Sequence, residues 1–230
     1  CPLEGCYSND TSTGQRVWTR AAAYDWHKLE SDFGLLKEDI LGLNTLTVIK
    51  NCLKDIEEHE GIKVSIENVD DNIADVYDMY ASGNLSGVFQ MEGKGMQRTA
   101  QQLNTSCFND IVALVALFRP GPIDSGMLQQ YIDGKNGMKI EYPCPAMEKI
   151  TASTYGVIVY QEQAMLIAMT MAGYSLGEAD ALRKIIGRKE LDKIDNAIKE
   201  FVDRSIAKGN SREASESVGN QLKAAGRYIF

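Results

Sequence analysis

The strongest constraint on this chain is a stop. From Phe108 to Phe118 (FNDIVALVALF) the residues are strongly apolar, as in a buried helix, and the run ends at Arg119-Pro120-Gly121-Pro122. Proline lacks the N–H a helix needs and pushes the preceding residue out of helical backbone, so the helix is predicted to break at Arg119-Pro120. Two prolines and a glycine fix a rigid bend. Pro122 suits the first turn of a new helix, predicted to run to about Asp133, with Gly134-Lys135-Asn136-Gly137 as the following loop.

On either side of this bend the patterns are simpler. Residues 1–33 hold turn formers (Ser8-Asn9-Asp10, Thr13-Gly14) among short mixed stretches and show no clear period. Residues 34–43 (GLLKEDILGL) read as a strand running into a turn, which would put Lys37 and Asp39 on one face. Leu46, Ile49, Leu53 and Ile56 fall at steps of three and four, predicting an amphipathic helix that ends near Gly61. A helical stretch is expected around Val76 to Tyr80, and Gly93 to Gly95 punctuate the chain beyond it. Past Gln161 the pattern is helical almost to the end. Met165, Ala168, Met169 and Ala172 share a face, Ser175-Leu176-Gly177-Glu178 has the spacing of a capping box, and Leu191, Ile194, Ile198 and Phe201 point inward. The expected fold class is α+β, mostly α-helical.

Composition excludes several classes. No run of about 18 apolar residues is present to span a membrane, and the first residues lack the basic-then-apolar order of a signal peptide. Five scattered cysteines without a Cys-x-x-Cys pair, with His27 and His59 far apart, argue against structural zinc and for free thiols in a reducing cytosol. A net charge of −8 argues against nucleic-acid binding over the whole surface. A local basic surface is still compatible with acidic flanks. The clearest such patch is Arg183, Lys184, Arg188 and Lys189; a solvated face with an Asp180–Lys184 pair is the alternative reading.

Two irregular blocks, Leu114 to Pro122 (LVALFRPGP) and Tyr155 to Gln163 (YGVIVYQEQ), resemble the fingers of the family C DNA polymerases, the bacterial replicative DNA polymerase III alpha subunits. GVFQMEGKGM, 87–96, and ADALRKIIGRK, 179–189, extend the resemblance to roughly residues 34–230. The resemblance implies the edge of a nucleotidyltransferase-like palm in 1–58 and a helical fingers domain in 59–230. It implies template-directed addition of deoxynucleotides to a primer 3′-end, with two Mg²⁺ ions held by carboxylates. Asp39 would be the last of three palm carboxylates, acting as metal ligand and catalytic residue. Lys37, Arg183 and Lys184 would meet the triphosphate, and Arg188 and Lys189 would help hold nucleotide or DNA. Arg119 either grips a phosphate or caps the carbonyls of the helix before it. Tyr160-Gln161-Glu162-Gln163 either meets nucleotide or template or caps and packs.

The chain departs from the family at Glu38 and Ile40, where aromatic residues are usual, at Gly93, where Ser is common, and at Lys184, where a second Arg is usual. The last change keeps the charge and loses the guanidinium fork. Lys94 stands in a Gly-Lys-Gly turn without Walker A spacing, so an ATPase reading fails.

The Asp-x-Asp pair that the resemblance implies does not occur in these 230 residues. The chain is therefore expected to be a polymerase fragment, inactive alone, working with primer–template DNA, deoxynucleoside triphosphates and the remaining polymerase segments. Contacts with a sliding clamp and other replisome subunits would lie in other regions. The expected location is cytoplasmic, at the nucleoid. Cys1 at the start and the motif cut off at Phe230 suggest gene splitting, a cloned fragment or an intein-processed piece. The competing class is a non-catalytic helical binding or assembly module derived from a polymerase.

Overall fold

The computed structural model describes residues 2–10, 13–36, 38, 41–187, 191–226 and 228–230, with 191 and 192 described by backbone only. The chain divides into two compact units, one ending at Val64 and one beginning at Ser65.

The first unit opens with an antiparallel hairpin, β1 (Leu3–Asn9) and β2 (Arg16–Ala22), in register from Leu3 opposite Ala22 to Asn9 opposite Arg16. Tyr7 and Trp18 face each other across the ladder, edge to face at 4.9 Å. Trp18 lies over Gly5, and a Cβ there would come within 2.0 Å of its ring unless the exposed indole swung aside. Two helices come next, α1 (Trp26–Ser31) and α2 (Asn44–Glu60). Gly61, at φ 67°, ends α2 in left-handed backbone and donates its N–H to Glu57, as the periodicity and the glycine predict. The strand expected over 34–43 is not seen among the described residues, which run irregularly there. A lone strand has no ladder partner for its backbone groups, and the pairing strands lie earlier, in the stretch without clear period. Among the described residues of this unit none is buried.

The second unit is helical, with ten helices among its described residues: α3 (Ala74–Ser82), α4 (Lys94–Leu103), α5 (Phe108–Leu117), α6 (Pro120–Asp124), α7 (Met127–Lys135), α8 (Pro145–Thr151), α9 (Gln161–Ala172), α10 (Leu176–Gly187), α11 (Leu191–Ala207) and α12 (Arg212–Ala225). The apolar run stops as expected: Arg119 is extended and Pro120 opens α6. The single helix expected from Pro122 to Asp133 is two helices. Gly126, at φ 78°, breaks it, and α7 continues through Gly134 and Lys135, which were expected in a loop. Gly134 stays helical because Tyr155 packs against it, so that a Cβ would lie 2.5 Å from the Tyr155 Cβ.

Two apolar clusters fill this unit. One joins Tyr80, Leu85, Leu103, Leu114, Leu117 and Tyr131. The other joins Ile167, Met171, Leu182, Ile186, Phe201 and Leu222. An extended segment, Val157-Ile158-Val159, is shared: Val157 and Val159 enter the first cluster and Ile158 the second. Side chains alternate along extended backbone, so three consecutive residues serve two cores. Asp110 and Lys135 form an ion pair of 2.6 Å with side chains 2% and 12% exposed.

Candidate functional site

Helix α10 starts where the sequence says it should. Ser175 and Glu178 exchange bonds as a capping box: Glu178 accepts from the Ser175 N–H at 2.7 Å, and the Ser175 hydroxyl accepts from the Glu178 N–H at 3.3 Å. Ala179, Leu182 and Ile186 bury one face of the helix, leaving Asp180, Arg183 and Lys184 off that face. Arg183 donates Nε and Nη2 to Asp180 Oδ1 at 2.9 and 2.7 Å. Lys184 Nζ lies 2.8 Å from the other carboxylate oxygen. The bonds from Lys184 and then Arg183 hold the Asp180 carboxyl below the usual carboxylate range.

The third Arg183 contact crosses to another helix. Nη1 donates to Gln161 Oε1 at 2.8 Å, and Gln161 is the first residue of α9. The Gln161 N–H donates to the Phe230 carbonyl at 3.1 Å, and the Phe230 N–H donates to the Val159 carbonyl at 2.9 Å. The Arg119 guanidinium stands over the Phe230 ring, 4.6 Å from its centre. A chain of contacts thus runs Arg119, Phe230, Gln161, Arg183, Asp180, Lys184. The Arg119 side chain is engaged by the Phe230 ring, and the contact with the end of α5 is made by its backbone N–H, which donates to the Leu117 carbonyl at 2.8 Å.

Gln163 explains why α9 begins where it does. Its Oε1 accepts from the Val159 and Tyr160 N–H groups at 2.9 and 3.0 Å, and its Nε2 donates to Thr154 Oγ1 and the Ile150 carbonyl at 2.8 and 3.2 Å. All four bonds are internal and the residue is buried, so the capping role holds for Gln163, while Gln161 accepts from Arg183. Gly93-Lys94-Gly95 is the start of α4. Gly95 packs under the Phe118 ring, where a Cβ would come within 2.9 Å of the ring tip.

Lys37, Asp39, Arg188 and Lys189 lie outside the described residues. Of the sequence-derived candidates, Arg119, Arg183 and Lys184 are joined by the chain of contacts. Its other links are Asp180, expected beside Lys184 at i, i+4, and Gln161 and Phe230, neither of which carries a local sequence signal for a contact 22 residues away or more. Sequence reasoning also missed Asp110–Lys135, although the Cys107-to-Asp110 spacing is that of a capping box, which the structure forms. Among the described residues no three His, Cys, Asp or Glu side chains converge to hold a metal ion, so these residues do not by themselves fit a Mg²⁺ site. Cys6, Cys52, Cys107 and Cys144 are free thiols. Among the described residues no helix is long and apolar enough to cross a membrane.

A mostly helical domain that links an arginine at the start of α6 and an arginine–lysine pair on α10 through the first residue of α9 is the class the geometry defines. Residues 45–209 match the family described as the bacterial DNA polymerase III alpha subunit finger domain, and the chain belongs to that family. Relatives named DNA polymerase III subunit alpha include that of Campylobacter jejuni, 44% identical over 86% of this chain and 17% of the relative. That of Aquifex aeolicus is 38% identical over 91% of this chain and 18% of its own length. That of Bacillus subtilis is 38% identical over 86% and 18%. The chain therefore spans less than a fifth of the length of these relatives.

Proposed function

We propose that this chain supplies the fingers, and in residues 1–58 an edge of the palm, of a template-directed DNA polymerase that extends a primer 3′-end during replication. Family membership supports the polymerase; the observation that carries the site is Arg183, held by Gln161 and Asp180 beside Lys184. In this reading Arg183 and Lys184 receive the triphosphate, Arg119 lies along the same surface, and Arg188, Lys189 and Lys37 add positive charge around nucleotide or DNA. A guanidinium already oriented by two partners presents its donors to phosphate at little entropic cost. Asp39 would ligate Mg²⁺ together with carboxylates from other polymerase segments. Two such ions would supply Lewis acidity there, one toward the primer 3′-hydroxyl and the other toward the triphosphate and the leaving pyrophosphate. The Asp-x-Asp pair is not among these residues, so the chain alone does not catalyse. Its partners are primer–template DNA, deoxynucleoside triphosphates and the rest of the polymerase, in the cytoplasm at the nucleoid.

The test is primer extension with Mg²⁺ by a polymerase assembled with this chain. Asp39→Asn is expected to abolish extension, and Arg183→Ala to raise the KM for deoxynucleotide about tenfold, the loss of a charge-assisted contact. Extension indifferent to Asp39 would remove it from the metal site. A well-folded assembly that binds partner segments and never extends a primer would leave the non-catalytic binding module.

A further inference from the structure

Both cations assigned to the triphosphate already have an anion. Asp180 takes two bonds from Arg183 through one oxygen and the Lys184 ammonium through the other, all at 2.7–2.9 Å. The neighbouring acid on the helix, Glu178, is engaged elsewhere: Arg204 Nη1 reaches it at 3.0 Å and Ser175 caps against it. Asp180 also lacks the features of a structural staple. Its side chain is 34% exposed, and among the described residues its partners are one helical turn away on the same helix. Partly exposed pairs confined to one turn of one helix are weak and exchangeable in water.

We infer that Asp180 is a resident counter-ion that the polyphosphate must displace, and that it thereby sets how weakly pyrophosphate and other short polyanions are held. The inference rests on the reading that Arg183 and Lys184 bind the triphosphate. The physics is competition. A polyanion entering the site gains contact with two cations and gives up, in part, their contact with Asp180. It also meets the negative charge that remains. A triphosphate with base and template contacts offsets this loss, whereas free pyrophosphate has nothing else to offset it. Gln161 stays on Arg183 Nη1 throughout and keeps the guanidinium aimed while Nε and Nη2 change partners. Asp180 therefore favours product release at the expense of tighter nucleotide binding.

The test uses the assembled polymerase, comparing Asp180→Asn with wild type for the deoxynucleotide KM and for inhibition by pyrophosphate. Asparagine keeps the size and hydrogen-bonding oxygen and removes the charge; Asp180→Ser is a second neutral variant should the first fold poorly. The expected result is a pyrophosphate inhibition constant lowered by about three- to tenfold, the scale of one or two exposed ion pairs, with a smaller fall in KM. An inhibition constant that is unchanged or raised in both neutral variants would overturn the inference, because Asp180 would then only orient Arg183. Arg183→Ala and Lys184→Ala separate the two layers. If neither alters KM or pyrophosphate inhibition, the reading of the phosphate site itself fails. If they weaken both while Asp180→Asn does not strengthen pyrophosphate binding, only the counter-ion role fails.

Discussion

Asp110 and Asp180 each gather a lysine, yet they do opposite things. Asp110 sits in the first turn of α5, and one of its oxygens accepts the Ser106 and Cys107 N–H groups at 2.8 and 3.2 Å as well as Lys135 Nζ at 2.6 Å. Lys135 ends α7, 25 positions away, and donates to Ser106 Oγ at 2.8 Å too. The pair is nearly sealed from water, and it ties a helix start to a helix end. Asp180 binds side chains of its own helix, in partial exposure to solvent. Burial and backbone anchoring make the first carboxylate a fixed joint. Exposure and local partners make the second exchangeable, which is what a site for a passing polyanion requires.

Breaking the fixed joint gives the largest expected effect. Lys135→Ala leaves a buried carboxylate without its cation and should destabilise the chain by about 3 kcal/mol, read by urea denaturation. The double change Asp110→Asn with Lys135→Met, which removes both charges, should recover much of that loss. A loss below about 1 kcal/mol in the single variant would mean that Asp110 is satisfied by its backbone donors alone. Next comes Gln163→Leu, which strips the acceptor from the Val159 and Tyr160 N–H groups and should cost about 2 kcal/mol. Because Val157, Ile158 and Val159 serve both cores, this variant should also broaden the unfolding transition; a sharp, unshifted transition would show that the segment holds without its amide bracket. Asp180→Asn should be far milder, lowering the urea midpoint only slightly while altering pyrophosphate inhibition. A fall in stability rivalling that of Lys135→Ala would erase the distinction between the two carboxylates.

The same divide between local and distant partners separates what is legible in the sequence from what is not. Features decided within one turn were legible: the break before Pro120, the glycine end of α2, the Ser175–Glu178 box, and the Asp180–Lys184 pair at i, i+4. Features decided by distant partners were not. Gly134 and Lys135 look like a loop, and they are helical because Tyr155 packs on one and Asp110 draws in the other. Residues 1–33 have no clear period because the hairpin there buries no face; it is held by its ladder and by Tyr7 against Trp18. In the candidate site the cations were found from a charge cluster and a family resemblance. Gln161 was only one of several polar residues opening a helix, since its contact with Arg183 spans 22 positions. Lys37 and Asp39 rest on the resemblance, and Arg188 and Lys189 on the charge cluster as well.

The smallest expected effect concerns Glu178, the acid that caps the start of α10. Its carboxyl is held down at about 2, against an ordinary 4.5, first by the hydrogen bond from Arg204 and then by the Ser175 N–H. Arg204 itself stacks on the Tyr174 ring, 3.9 Å from its centre, so the partner is fixed before the bond forms. A depressed carboxyl stabilises the folded state fully above its unfolded value and loses that contribution as pH falls through the folded value. Wild type should therefore exceed Glu178→Gln in stability by a constant margin above pH 4.5, and the margin should close as pH falls toward 2. Added salt should shrink it at every pH, because the pair faces water. A margin that ignores both acid and salt would mean that Glu178 acts through its neutral cap on Ser175.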